Sequence, residues 1–203
     1  MIKTKYFEEL PIELKEKINN GGLHSLYEFE ARPFEVTNNR NEVFEILNYN
    51  LVLKELISKA KQAKDIEVLL ILQGSEYFPK LYAYVHEFSL LMSKAKGESI
   101  NKLRGIIEKE EIPLIIEQYT EACNIIGSMG YFDVDFKLEH IYWDRENQQL
   151  TLIDFGHYYK EQPIYNDGVH SNVNQLKKYL IWWEIIILKN LLSRRFLFTS
   201  DSN

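Results

Sequence analysis

The chain has 203 residues, 45% hydrophobic and 27% charged, a balance that argues against disorder and predicts a soluble globular protein. Its net charge of −6 and the absence of a long basic run argue against a nucleic-acid binder, whose affinity rests on neutralising phosphates. A single cysteine, Cys123, rules out an internal disulfide, fits a reducing compartment and reads as a small buried apolar residue.

The first residues, Met1 to Lys17, lack the apolar core of a signal peptide. Pro11 to Ile18 reads as a short helix with proline in its first turn, stopped by Asn19-Asn20-Gly21-Gly22. Leu26 to Phe34 and Glu35 to Ile46 carry alternating apolar residues and read as strands. Asn48-Tyr49-Asn50 is a turn into a strand carrying Lys54, and Ser58 to Leu72 is helical. Strands follow at Lys80 to Val85 and Phe88 to Met92. From Glu98 the chain is expected to turn helical, with Ile115, Tyr119, Ala122 and Ile126 forming an apolar stripe and Gly127 and Gly130 flanking its end. Glu108-Lys109-Glu110-Glu111 reads as a solvated face. Gly130 to Gly156 reads as two short strand pairs around a loop, and His157 to Ser171 as an irregular loop. Val173, Leu176, Leu180, Trp183 and Ile187 mark a last long helix. The stretch Tyr179 to Leu192, broken by Glu184 and Lys189, is too short and too charged to span a bilayer. These signals predict a cytoplasmic protein; a signal read by a dedicated bacterial export machine would leave no mark among them.

The chemistry concentrates between Gly130 and Gly156. Asp135 and Asp154 stand nineteen residues apart, Lys137 follows the first carboxylate, and Asp154 opens a D-F-G turn. A phosphoryl-transfer site needs these parts: one carboxylate near the attacking hydroxyl, one holding metal on the phosphates, and a cation for the charge on the transferred group. Elsewhere, His24, His86, His157 and His170 are too scattered for a zinc site, and Trp143, Trp182 and Trp183 read as core anchors.

This segment resembles the eukaryotic-type protein kinase superfamily, whose catalytic loop reads H-R-D-x-K-x-x-N and precedes a D-F-G. Here Asp133 to His140 and then Leu152-Ile153-Asp154-Phe155-Gly156 match it. The resemblance implies that Asp135 orients the acceptor hydroxyl, that Lys137 offsets γ-phosphate charge as in serine/threonine-directed members, and that Asp154 holds Mg²⁺. Leu51-Val52-Leu53-Lys54 resembles the V-A-I-K strand, implying that Lys54 contacts the α- and β-phosphates. The stretch Asp65 to Leu72 resembles the helix that follows it. Glu67 is the expected partner of Lys54, with Asp65, Glu55 and Glu76 as competing carboxylates. Leu90 to Ile100 resembles the strand, hinge and first helix beyond: Met92 as gatekeeper, Ser93 to Ala95 as hinge backbone and Glu98 as ribose contact. Five pieces in family order are a far stronger signal than D-F-G alone.

The departures are specific. Asp133 replaces the family histidine and Val134 the arginine that reads an activation-loop phosphate, so the 157–171 loop is expected not to need phosphorylation. His140 replaces the metal-binding asparagine, and imidazole is a softer ligand that would favour Mn²⁺. Val36 to Val43, at the place of the phosphate-covering loop, has no glycine, and Arg40 is the side chain placed to reach the phosphates instead. Only 47 residues follow Gly156, and no A-P-E closes the activation segment.

The implied fold is α+β, a two-lobed protein-kinase-like fold over residues 1–203. It has a β-rich N-lobe at about 1–92, a hinge at 93–97 and a truncated helical C-lobe at 98–203, with a cleft at Met92 to Gly97. The implied function is ATP- and metal-dependent phosphotransfer to serine or threonine of a protein substrate, with Mg²⁺ or Mn²⁺. Two alternatives keep the fold: a small-molecule phosphotransferase, and an inactive pseudokinase acting as a binding module. Secreted bacterial effectors include minimal kinases of this kind.

Overall fold

A computed structural model of the chain describes residues 1–29, 31–33, 41–56, 59–160 and 171–183. They fall into two compact units, Met1–Lys96 with Thr151–Tyr159, and Gly97–Leu150 with Lys160–Asn203.

The first unit is built on a six-stranded antiparallel sheet. Its strands are β1 (Ile2–Lys3), β2 (Ala31–Pro33), β3 (Asn41–Ile46), β4 (Leu51–Leu56), β5 (Leu81–Val85) and β6 (Ser89–Ser93), in the order β1-β5-β6-β4-β3-β2. β4 is central, with Lys54 opposite Val43 on one side and Leu90 on the other. It contains no polar-out alternation because both of its faces are covered, which turns a two-residue period into a continuous apolar run. Leu51 and Leu53 join a core with Phe7, Leu10, Leu14, Ile18, Leu23 and Leu26 from the N-terminal helical segment. Val52 and Lys54, which alternate with them, belong to the opposite face. That face meets α2 (Lys59–Leu72), whose Ile66, Val68, Leu69 and Leu72 are buried.

The N-terminal segment departs from the sequence expectation. Helix α1 (Ile12–Gly21) forms where expected but runs on through Asn19, Asn20 and Gly21, and the expected strand from Leu26 begins as a 3₁₀ turn over Leu23–Glu28, with Ala31–Pro33 as its strand among the described residues. Leu23 and Leu26 stand three apart, so one 3₁₀ turn buries both, whereas a strand would send them to opposite faces. The Asn48-Tyr49-Asn50 turn is present, with both asparagines at positive φ (70° and 52°).

The second unit contains α3 (Glu111–Ser128), which buries the predicted stripe of Ile115, Tyr119, Ala122 and Ile126 together with Cys123. Burial pushes the Cys123 thiol up to about 12, consistent with an inert packing residue. The chain does not turn helical at Glu98. Instead β7 (Glu98–Ser99) pairs with β9 (Ile141–Asp144), Glu98 opposite Trp143 and Ser99 opposite Tyr142. Gly97 makes this approach feasible, since a Cβ there would sit 2.1 Å from the Trp143 carbonyl oxygen and φ is +75°. β8 (Tyr131–Asp133) follows α3, and β10 (Gln149–Leu152) lies beyond β9 in the β10-β9-β7 sheet. Gln118 of α3 accepts from Leu150 N–H and donates to Gln148 O, both at 2.8 Å. β11 (Tyr158–Lys160) and the helical residues 171–183 complete the described chain. Ile187 and most of the 157–171 loop lie outside the described residues. Among the described residues, no helix is long and apolar enough to cross a membrane.

Candidate active site

In the first unit, the strand period and the middle of α2 bring three charged groups together. Lys54, only 5% exposed, places Nζ 3.2 Å from Asp65 Oδ1 and 2.9 Å from Asp154 Oδ1. Asp154 is a hundred residues away in sequence. Burial alone would push the Lys54 ammonium down. The Asp65 and Asp154 carboxylates outweigh it, and its pKa stands above the ordinary lysine value, so Lys54 is a cation at neutral pH. The Lys54 partner from α2 is thus Asp65, correcting the expectation of Glu67. Asp65 is 2% exposed, whereas Glu67 lies on the exposed side of the same helix. Two residues along a helix rotate a side chain by roughly 200°, so the two carboxylates cannot share one face.

The D-F-G turn is held on both sides of Asp154, which sits at φ 62°, uncommon for a residue with a Cβ. Before it, Leu152 N–H donates to Tyr77 O at 2.8 Å. After it, Phe155 N–H donates to Asp65 Oδ1 at 2.9 Å. The Phe155 ring, 1% exposed, packs against Phe78 and Tyr158 with centroids 6.0 and 5.2 Å away. Asp154 keeps its carboxylate partly exposed, at 34%.

The expected hinge also lies in the first unit. Met92 is half-buried in β6, opposite Val52 and Leu81. Ser93 N–H donates to Lys80 O at 2.9 Å, and Lys94 N–H to Asn50 O at 2.8 Å, which fixes the backbone leading to Ala95. Arg40 lies outside the described residues.

In the second unit, Lys137 Nζ lies 2.5 Å from Asp135 Oδ2. Asp133, at the place of the family histidine, accepts the Asp135 N–H through Oδ1 at 2.8 Å and so shapes the loop. Asn172, 7% exposed, donates to Asp133 O at 2.9 Å. His140 ends a 3₁₀ turn over Leu138–His140 and is half-buried. Glu98 is exposed and lies 3.3 Å from Lys102.

Composition misread one group. Glu111, taken as part of a solvated run, is buried and accepts from Trp143 Nε1 at 2.8 Å and from Arg145 Nε at 2.9 Å. The fully buried Trp143 indole needs an acceptor, and no local pattern in the sequence announces one 32 residues away. Trp183 is buried as expected, but Trp182 is exposed. Of helix neighbours one residue apart, only one can face the core.

A metal implied by such a fold would find oxygen donors in keeping with Mg²⁺, led by the partly exposed Asp154 carboxylate. No group of three or more His, Cys, Asp or Glu able to cage an ion exists among the described residues.

No family model matches the chain. A curated Dictyostelium discoideum protein, "Probable serine/threonine-protein kinase fnkB", is 32% identical over 143 residues, 64% of this chain and 26% of that protein. The match thus spans about a quarter of the relative's length. The solved structure of the Cydia pomonella granulovirus kinase PK-1 matches at a TM-score of 0.55 and 15% identity, covering 78% of this chain and 61% of that one. The fold of this chain is therefore protein-kinase-like, a small α+β fold with an antiparallel N-terminal sheet.

Proposed function

We propose that this chain is an ATP- and divalent-metal-dependent phosphotransferase acting on serine or threonine hydroxyls of a protein. The observation that carries the reading is the Lys54–Asp154 contact at 2.9 Å, which joins the cation and the carboxylate that a nucleotide site requires across a hundred residues of sequence. The kinase-like fold and the similarity to a kinase sequence support it.

In this reading Lys54, held charged, binds the nucleotide α- and β-phosphates, with Asp65 as its fixed counter-ion. Asp154, and His140 as the second candidate ligand, hold the metal. The ion offsets phosphate charge when bound. Ala95 supplies the adenine contact, because the N–H groups of Ser93 and Lys94 are already engaged by Lys80 O and Asn50 O. Met92 bounds the base, and Glu98 and Arg40 meet the ribose and phosphates. Asp135 orients the acceptor hydroxyl and takes up its proton, and Lys137 offsets charge on the transferred group. Rate enhancement is then mostly positioning and electrostatics.

One observation favours the pseudokinase reading. Lys54 is engaged by two carboxylates at once, so a nucleotide must compete with Asp154 for it. A single experiment separates the readings: ATP binding and phosphate transfer with Mg²⁺ and Mn²⁺, for the parent chain, Asp154→Asn and Asp135→Asn. An enzyme loses metal-dependent nucleotide binding with the first substitution. It keeps binding but loses transfer by about 10²-fold or more with the second. Binding without transfer in the parent chain supports the pseudokinase, and no binding at all ends the nucleotide reading.

A further inference from the structure

We propose that a cavity beside Asp135 receives a basic side chain of the acceptor protein, a lysine or arginine close in sequence to the phosphorylated serine or threonine. The inference rests on the phosphotransferase reading, which places the acceptor hydroxyl at Asp135. The cavity holds about 370 Å³ and lies wholly within the second unit, between the loop of Phe132 to Phe136 and the start of the helical residues 171–183. That volume, near the lower end of the range for small-ligand sites, suits one long side chain.

The lining fixes the sign of what enters. Asp133 and Asp135 both line the cavity, and among the described residues no lysine, arginine or histidine does. Lys137 binds Asp135 Oδ2 at 2.5 Å and stands outside the lining. Two carboxylates against one ammonium leave a net negative charge, which repels an anionic group and attracts a cationic one. The Asp133 residue is also held in place. Its Oδ1 accepts Asp135 N–H at 2.8 Å, and its carbonyl accepts from the buried Asn172 at 2.9 Å. A carboxylate fixed in this way meets a cation without the ordering cost of a mobile side chain.

The other walls suit the rest of a basic side chain. Val134 lines the cavity and is 53% exposed, an apolar surface for the methylenes of lysine or arginine. The exposed Gln175 donates through Nε2 to Ser171 Oγ at 3.4 Å. That bond does not use its amide oxygen, an acceptor for an incoming N–H group. A phosphate would need the reverse lining, cations and N–H donors. Asp135 both lines the cavity and meets the hydroxyl in this reading. The basic residue therefore stands within roughly three positions of the acceptor, at about 3.3 Å per extended residue.

The test uses the full chain and serine peptides carrying arginine, glutamine or glutamate at each of these positions. It reads transfer as kcat/KM and binding as the ¹⁵N shifts of the Asn172 and Gln175 side-chain amides. At one position arginine should be preferred over glutamine by about tenfold, and glutamate should be rejected. Gln175→Lys places an ammonium at an exposed site outside the catalytic groups. It should abolish the preference and leave transfer to the glutamine peptide within about twofold. Gln175→Glu should widen the preference. Equal transfer to the three peptides overturns the proposal, as does an arginine preference that survives Gln175→Lys. An amino sugar that moves the Asn172 amide signal more than the arginine peptide does also overturns it, giving the cavity to a small-molecule acceptor. A parent chain that transfers no phosphate defeats the phosphotransferase reading alone, and the amide shifts then decide. Movement with the arginine peptide but not the glutamine peptide supports the cavity's role, and no movement with either overturns it.

Discussion

At the scale of single residues, burial decides what each charge contributes. A lysine on the wall of a binding site could be expected to matter for chemistry and little for packing. Lys54 instead sits between two carboxylates, one of them fully buried, and removing it leaves Asp65 without its counter-ion. Lys54→Met should destabilise the protein by about 3–5 kcal/mol, the cost of breaking a buried pair, read as a lowered urea midpoint. The pH dependence has a definite sign. The folded pKa of Lys54 is raised, so its contribution is fully present below the ordinary lysine value of about 10.4 and is lost as pH rises through the higher folded value. Alkaline unfolding should therefore be steeper in the parent than in Lys54→Met.

Glu111 shows the opposite sign. Burial works against its carboxylate, but the Arg145 guanidinium, the Glu108 N–H and the Trp143 indole bind it and hold it below the usual range. Its contribution is present above the ordinary carboxylate pKa and disappears as pH falls through the lower folded value. Glu111→Ala should flatten the acid limb of the stability curve. It should also cost about 1–3 kcal/mol at neutral pH, because the buried Trp143 N–H loses its acceptor. Thermal denaturation between acid and neutral pH checks both statements. His140→Asn tests a residue at which the sequence departs from the catalytic-loop pattern it resembles. If imidazole binds metal, the substitution should move preference from Mn²⁺ toward Mg²⁺, and an unaltered ratio of activities removes His140 from the metal site.

At the scale of elements, β4 and β7 carry contrasting lessons. β4 was readable because Val52, Leu53 and Lys54 sit in an apolar run bounded by a turn, and both faces are filled. Its register, set by β3 and β6, gives Lys54 the face that meets α2. β7 was not readable: two residues carry too little pattern to distinguish a strand from a helix start. What makes it a strand is the backbone approach that Gly97 permits. Gly97→Ala adds a Cβ 2.1 Å from the Trp143 carbonyl oxygen at φ +75° and should cost roughly 1–3 kcal/mol, with greater exposure of Trp143 reported by its fluorescence. The 3₁₀ turn over Leu23–Glu28 was missed for a related reason, since its spacing suits burial beneath a sheet whose presence the local sequence does not contain.

At the scale of the whole molecule, the candidate chemistry is divided between two units. Lys54, Asp65 and Asp154 belong to the first, Asp135 and Lys137 to the second. Residues that serve one reaction act non-additively, whereas independent sites add. If the phosphotransferase reading holds, Asp135→Asn combined with Asp154→Asn should reduce transfer about as far as the worse single variant. Losses that multiply would show that the two carboxylates do not serve one step. Phosphorylation gives a second check on the whole chain. Tyr158 is buried, and Val134 stands where an arginine would read a phosphate, so treatment with a phosphatase should leave activity within about twofold.

The sequence by itself determined the order of the pieces: the strand with Lys54, the helix after it, the Asp135-x-Lys137 loop and the D-F-G turn. Each is a local pattern of a few residues, with its physical reason in periodicity or turn chemistry. It also limited the α2 partner of Lys54 to a few carboxylates. Tertiary structure chose among them, because only the packing of α2 against β4 selects which face of the helix turns inward, and that face carries Asp65. The same holds for Glu111, whose burial depends on a tryptophan from a distant strand, and for the shared acceptor that joins Lys54 to Phe155. Such contacts join residues tens of positions apart, and their partners are fixed by the packing of elements rather than by any local period.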